Sequence, residues 1–338
     1  MTLIRATLLF GAVLAATPAI AAPEYVMKGA TPLGAPDRWD YVVFSGETGR
    51  VYVAHGDRLA VVDAASGALV GQVEGIAGGT HGTAISPKTG LGFTDDGRNG
   101  LVVAFDLKTL KVVKTIKAEE DADGVALDKA TGHAFVIDGD PAKITVIDPQ
   151  TRAAAATIDV GEKLEYVAAD GRGGIFAAGE QKRDLVKINA RTNAVEAHWA
   201  TPDCESPHGL ALDVAAHRAF MGCINSVMVV LDTTTGRQVA KLPIGRGSDA
   251  VAFDAKRKRV FSSNGADGTI SVYQEVTPDR YRALEPIMTA VSGRTMDVDP
   301  ATGRLFVAAA DTDPPVQPGG RPRPRPGSLR LTMFDPVE

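Results

Sequence analysis

Seven stretches of this chain are variants of one sequence, and that repetition constrains the fold more than any other feature. "DYVVFSGETGRVYVA" begins at Asp40, "HGTAISPKTGLGFTD" at His81, "DGVALDKATGHAFVI" at Asp123 and "EYVAADGRGGIFAAG" at Glu165. "HGLALDVAAHRAFMG" follows from His208, "DAVAFDAKRKRVFSS" from Asp249 and "RTMDVDPATGRLFVA" from Arg294. Successive starts lie 41 to 45 residues apart. Each unit continues with a third apolar run, such as "RLAVVDAASG" or "VMVVLDTTTG", and most with a fourth, such as "KVVKTIKAE". Four short β-runs per period, separated by turn signals, are the signature of a propeller blade. The expected fold is therefore all-β: a seven-bladed β-propeller with four-stranded blades. Asp63–Gly67 and Asp232–Gly236 read as hairpin turns in which the Asp side chain accepts from nearby backbone N–H groups.

The seventh unit ends at "FDPVE" without a fourth run, while "EYVMKGATPLG" (Glu24–Gly34) is a run without a unit. Pairing the two would close the ring through the last blade and remove its open sheet edges. On the patterns "PKTGLGFTDDGRNG", "RKRVFSSNGADGTISV" and "DPATGRLFVAAAD" the chain resembles the YncE-like group of exported, YVTN-type seven-bladed propellers. The literal Tyr-Val-Thr-Asn motif is absent; Val51-Tyr52-Val53-Ala54 and Phe261-Ser262-Ser263-Asn264 are degenerate versions. The resemblance covers nearly all of the chain after residue 21. It implies the fold more sharply than a function, because the wider group spans DNA binders, lactonases and lyases.

Arg5 precedes an apolar core, Leu8–Ala16, and Ala19-Ile20-Ala21 fits a cleavage site. Residues 1–21 therefore read as a secretory signal peptide and 22–338 as a single propeller domain. The expected location is exported, periplasmic in a Gram-negative cell, with no membrane span after cleavage. A monomer is the default state. The net charge of −5 argues against nucleic-acid binding by the body of the protein, which would need a basic face. One basic element stands out: the Pro/Gly-rich insertion in blade seven (314–328), within Asp311–Arg330, with Arg321, Arg323, Arg325 and Arg330. It reads as an extended arm that could lie over the channel mouth or touch nucleic acid, although it lacks aromatics for base stacking.

The first strand of a propeller blade lines the central channel, so the unit starts should gather at one mouth. They are Asp40, His81, Asp123, Glu165, His208, Asp249 and Arg294, all ionisable. One reading is a solvated ring of charges that neutralises itself. The other is a polar funnel that binds a small molecule or a protein partner. A catalytic alternative is a funnel enzyme of lactonase or lyase type. In it His81, Glu165 or His208 would serve as acid or base, and Arg294 would stabilise an oxyanion. His81, His208, Glu165 and Asp40 are also candidate ligands for a divalent metal near the axis. No Gly-x-Ser-x-Gly elbow, dinucleotide glycine fingerprint, P-loop, EF-hand or haem motif occurs, so no other cofactor is implied. Trp39 and Trp199 read as packing residues.

The stretch "CESPHGLALDVAAHRAFMGC" holds both cysteines and resembles a metal box. On the propeller register Cys204 precedes the first strand of blade five and Cys223 ends the second. Antiparallel strands bring those positions together, so a Cys204–Cys223 disulfide is expected. His217 falls in the turn at the opposite end from His208, roughly 15–20 Å away at the rise of a strand, and the two cannot share an ion.

Overall fold

The seven repeats become seven antiparallel sheets around a common axis. A computed structural model describes residues 24–315 and 322–337. The signal peptide read at 1–21 and the arm residue Arg321 lie outside the described residues. Blades one to six each follow the order first to fourth strand from the axis outward, as in blade four: Leu164–Ala169, Gly174–Gly179, Asp184–Asn189 and Ala194–Ala200. Blade seven is built from both chain ends. Thr295–Val298, Leu305–Ala309 and Arg330–Pro336 come from the C-terminal side, and Tyr25–Pro32 forms the outermost strand. Its antiparallel register runs from Tyr25 opposite Pro336 to Pro32 opposite Arg330. The ring closes as a seven-bladed β-propeller, and the N-terminal strand closes it as expected. Among the described residues the one helical element is the single turn Gly97–Asn99.

Each second strand carries an aromatic at the same position: Tyr52, Phe93, Phe135, Phe176, Phe220, Phe261 and Phe306. All seven are buried between adjacent blades. Removing one such ring would cost about 3–5 kcal/mol, so this layer is a principal source of cohesion between sheets. The wide spacing before Arg294 has a local cause. In blade six the third strand, Thr269–Thr277, pairs with two separate pieces, Arg280–Ala283 and Ile287–Met288. The turns behave as their sequences suggest. Asp63 Oδ1 accepts from the Ser66 N–H at 2.8 Å, and Asp232 Oδ1 from Thr234 and Thr235 at 2.9 and 3.0 Å.

The insertion in blade seven is anchored at both ends. Thr312–Asp313 and Arg323–Pro324 form a two-residue ribbon. Asp37 accepts from the N–H groups of Gly327, Ser328 and Leu329 at 2.6, 2.9 and 3.0 Å, tying the returning chain to the loop before blade one. No helix of the described residues is long and apolar enough to cross a membrane.

Cys204 and Cys223 are joined by a disulfide, with Cα atoms 5.3 Å apart and both residues fully buried. It belongs to an oxidising environment. The bond closes a loop of sequence separation 19, for which chain entropy supplies about 3 kcal/mol. Replacing both cysteines by alanine should lower unfolding free energy by about that much in a denaturant titration; an unchanged midpoint would contradict it.

Candidate functional site at the channel mouth

The inner strands pack closely enough to bring their leading residues together. A Cβ at Gly82 would stand 2.5 Å from the backbone N of Val125 in the next blade, and one at Gly209 2.5 Å from that of Val251. Only glycine allows those approaches. Blades one and four carry Tyr41 and Tyr166 at the same position. Their rings meet edge to face across the axis with centroids 4.4 Å apart. They narrow the channel behind the ring of unit starts and give the mouth a floor.

Five of the seven starting residues form one continuous line of charge across blades four, five, six, seven and one. His208 Nδ1 donates to Glu165 Oε1 at 2.9 Å and lies 3.5 Å from Asp249 Oδ1. Arg294 Nη1 donates to Asp249 Oδ2 at 2.6 Å, while Nη2 donates to the Trp39 carbonyl at 2.6 Å and lies 3.7 Å from Asp40 Oδ2. The guanidinium also sits over the Trp39 ring, 5.6 Å from its centroid, so this tryptophan both packs and borders the site. His81 turns to its own blade: Nδ1 donates to Asp95 Oδ2 at 2.7 Å. Asp95 Oδ1 accepts from the N–H groups of His81 and Gly82 at 2.7 and 2.8 Å. Asp123 differs from the rest, because its buried Oδ1 has no hydrogen-bond partner.

Burial and crowding shift these groups in opposite directions. Burial pushes Asp40 up to about 7 in spite of Arg294. Burial, then Asp40 and Glu165, hold Asp123 well above the usual carboxylate range. Burial would also raise Asp249, but His208 and Arg294 outweigh it and hold it below its usual value. Burial disfavours charge on both histidines. Asp95 nevertheless raises His81 to about 10, and Asp249 with Glu165 raises His208 to about 10. Both imidazoles are thus cations at neutral pH.

The residues proposed as metal ligands do not all converge. Ligand atoms of Glu165, His208 and Asp249 lie within 4.8 Å of one another, whereas His81 is committed to Asp95 and Asp40 to the far side of Arg294. Arg294 already serves Asp249 and the Trp39 carbonyl, so an oxyanion would have to compete with carboxylates for it. In the arm, Arg325 pairs with Asp313 at 2.7 Å and Arg330 with Asp311 at 2.8 Å. Their charge is largely spent within the insertion. His217 lines a small cavity of about 30 Å³ with Asp213 and Arg218, away from the mouth.

Three residues at the channel escaped the sequence reading. Tyr41 and Tyr166 stand where other blades have glycine, alanine or threonine. Asp297, half-buried and pushed up to about 6 by desolvation, accepts from the Phe44 N–H at 2.7 Å. At its position the other blades carry Val43, Ala84, Ala126, Ala168, Ala211 and Ala252. A lone acid in an apolar column was the signal available.

Fold and site together define a seven-bladed β-propeller with a charged, tyrosine-floored channel mouth. The chain belongs to the DUF5074 family, a domain of unknown function, which matches residues 40–210. No curated protein matches it in sequence. Among solved structures it is similar to the WD40 repeats of RRP9 (TM-score 0.78, 12% identity, 92% of this chain and 97% of that one). It is also similar to U3-55K (0.77, 12%, 93% and 98%) and to Kuenenia stuttgartiensis hydrazine synthase (0.69, 14%, 80% and 92%). At such identities the likeness is one of fold alone.

The raised histidines make stability depend on pH. Their contribution is complete below the unfolded value of 6.5 and is lost as pH rises through about 10. Asp40, also raised, loses its contribution over the lower range from 3.8 to about 7. Unfolding free energy should therefore fall between pH 6.5 and 10, by the order of a few kcal/mol. The slope should flatten in a His81→Asn, His208→Asn double variant. Equal slopes in the two proteins would contradict the assignment.

Proposed function

We propose that the protein is a binding propeller whose channel mouth takes a cationic group, the ammonium or guanidinium of a small amine. The observation that carries this reading is the buried, unpartnered Oδ1 of Asp123 in a ring where carboxylates are in excess. Among the described residues, Asp40, Asp95, Asp123, Glu165 and Asp249 face three cationic side chains, His81, His208 and Arg294. A buried carboxylate oxygen without a donor is costly, and a bound cation would relieve both it and the raised Asp40. The site is reachable from solvent: the side chains of Asp40, His81, Glu165 and His208 keep 20–26% of their exposure. Nearby on blades two and three, Glu120, Asp121 and Asp140 line an open groove of about 540 Å³ with Arg98 and Pro141, which adds negative potential. The same channel could receive a lysine or arginine of a protein partner. The disulfide, the leader-like residues 1–21 and the resemblance to YncE-like propellers support an exported, periplasmic setting.

A cation that restores charge to Asp40 and Asp123 must displace protons. Calorimetry with n-butylamine, putrescine and agmatine should show binding that is tighter at pH 8 than at pH 6 and releases protons. Asp123→Asn should weaken it about tenfold or more, since a hydrogen bond to a charged group contributes about 1.5–3 kcal/mol. Absence of heat with all three amines, or binding unaffected by the substitution, would sink the reading.

A further inference from the structure

A second cluster lies in blade four, away from the ring of unit starts. Glu162 is in the loop leading into the first strand, Asp184 opens the third strand and His198 lies in the fourth. Ligand atoms from all three fall within 4.8 Å of one another. His198 Nδ1 is 2.8 Å from Asp184 Oδ2 and 3.3 Å from Glu162 Oε1. The carboxylates are almost completely buried, with side-chain exposures of 0% for Glu162 and 5% for Asp184. Yet Glu162 Oε1 and Asp184 Oδ1 have no hydrogen-bond partner. The remaining Glu162 oxygen, Oε2, accepts from the Lys182 backbone N–H at 3.0 Å. The Lys182 side chain itself is exposed.

Two buried carboxylates facing each other must share a proton or hold a cation between them. Among the described residues no lysine or arginine forms an ion pair with either. The contrast with the channel is direct. There Glu165, His208 and Asp249 also cluster, but the Arg294 guanidinium, 2.6 Å from Asp249, already occupies the position of a cation. In blade four, among the described residues, no lysine or arginine takes that position, and a Cβ at Gly179 would stand 2.6 Å from Glu162 Oε1 and closer still to Asp184 Oδ1.

We propose that Glu162, Asp184 and His198 form a binding site for one divalent transition-metal ion of the zinc type. One imidazole nitrogen with two carboxylate oxygens suits zinc or its first-row neighbours better than magnesium or calcium, which favour oxygen alone. Donors around a tetrahedral ion at ~2.1 Å stand ~3.4 Å apart. The 3.3 Å contact of His198 with Glu162 already has that span, and the 2.8 Å contact with Asp184 needs a small opening. The side chain of His198 is 34% exposed, so the ion can enter from solvent and keep water in its remaining position. Glu162 precedes Glu165 by three residues. The ion therefore fixes the loop that delivers Glu165 to the channel mouth.

The test uses full-length, tag-free protein dialysed against Zn²⁺ and analysed for bound metal, with Co²⁺ substitution followed by visible absorption. The wild type should hold one ion per chain and show a Co²⁺ band. His198→Gln and Glu162→Gln should lose both, and His208→Gln should keep both. Circular dichroism and melting curves of the metal-free variants establish that each is folded. No bound ion in the folded wild type would overturn the proposal. So would retention of the ion in His198→Gln, or its loss in His208→Gln instead. Amine binding at Asp123 is measured separately, so the two sites fail or stand independently.

Discussion

Arg294 is the residue on which the mouth of the channel depends. Seven inner strands that start around one axis must place seven leading side chains close together, and here four of those are acids. A partly buried carboxylate beside another carboxylate is unfavourable unless a cation intervenes. Arg294 stands between Asp249 and Asp40, and His208 between Asp249 and Glu165, so one line of alternating charge crosses five blades. Arg294 also fastens the last blade to the first, by donating to the Trp39 carbonyl. The electrostatics of the mouth and the closure of the ring thus share a residue. The N-terminal strand closes the same junction at the outer edge, where its ladder runs along Arg330–Pro336.

The clusters at the mouth and in blade four show how one chemical problem receives different answers. At the mouth a guanidinium and two imidazolium groups supply the positive charge, except at Asp123. In blade four Glu162 and Asp184 have only His198, and two oxygens remain without a donor. Both unmet needs lie on the face of the ring where loops lead into the inner strands. The disulfide stiffens this face in blade five. It ends next to Ser206, whose hydroxyl donates to Glu180 and approaches His208 Nε2 at 3.5 Å.

The fold was legible because the repeat is an alignment of the chain with itself. Asp40, His81, Asp123, Glu165, His208, Asp249 and Arg294 fall at one register, and periodicity alone puts them at one end of the channel. The disulfide was legible for the same reason, since the register brings the ends of two antiparallel strands together. Pairing within the ring was not. Whether His81 faces Asp40 or Asp95 depends on a rotamer, and Asp95 lies 14 residues away at the end of the next strand. The contact of Tyr41 with Tyr166 joins blades one and four across the axis, a distance in sequence that no local pattern encodes. Glu162, Asp184 and His198 come from a loop and two outer strands of one blade, where the repeat predicts only turns and surface.

The channel mouth is held together by ion pairs in which His81, His208 and Arg294 carry the positive charge. The most direct measurement is the protonation state of its histidines, read from imidazole ¹⁵N chemical shifts across a pH titration. His81 and His208 should remain doubly protonated at pH 8. Neutral imidazoles at His81 and His208 at pH 8 would contradict it.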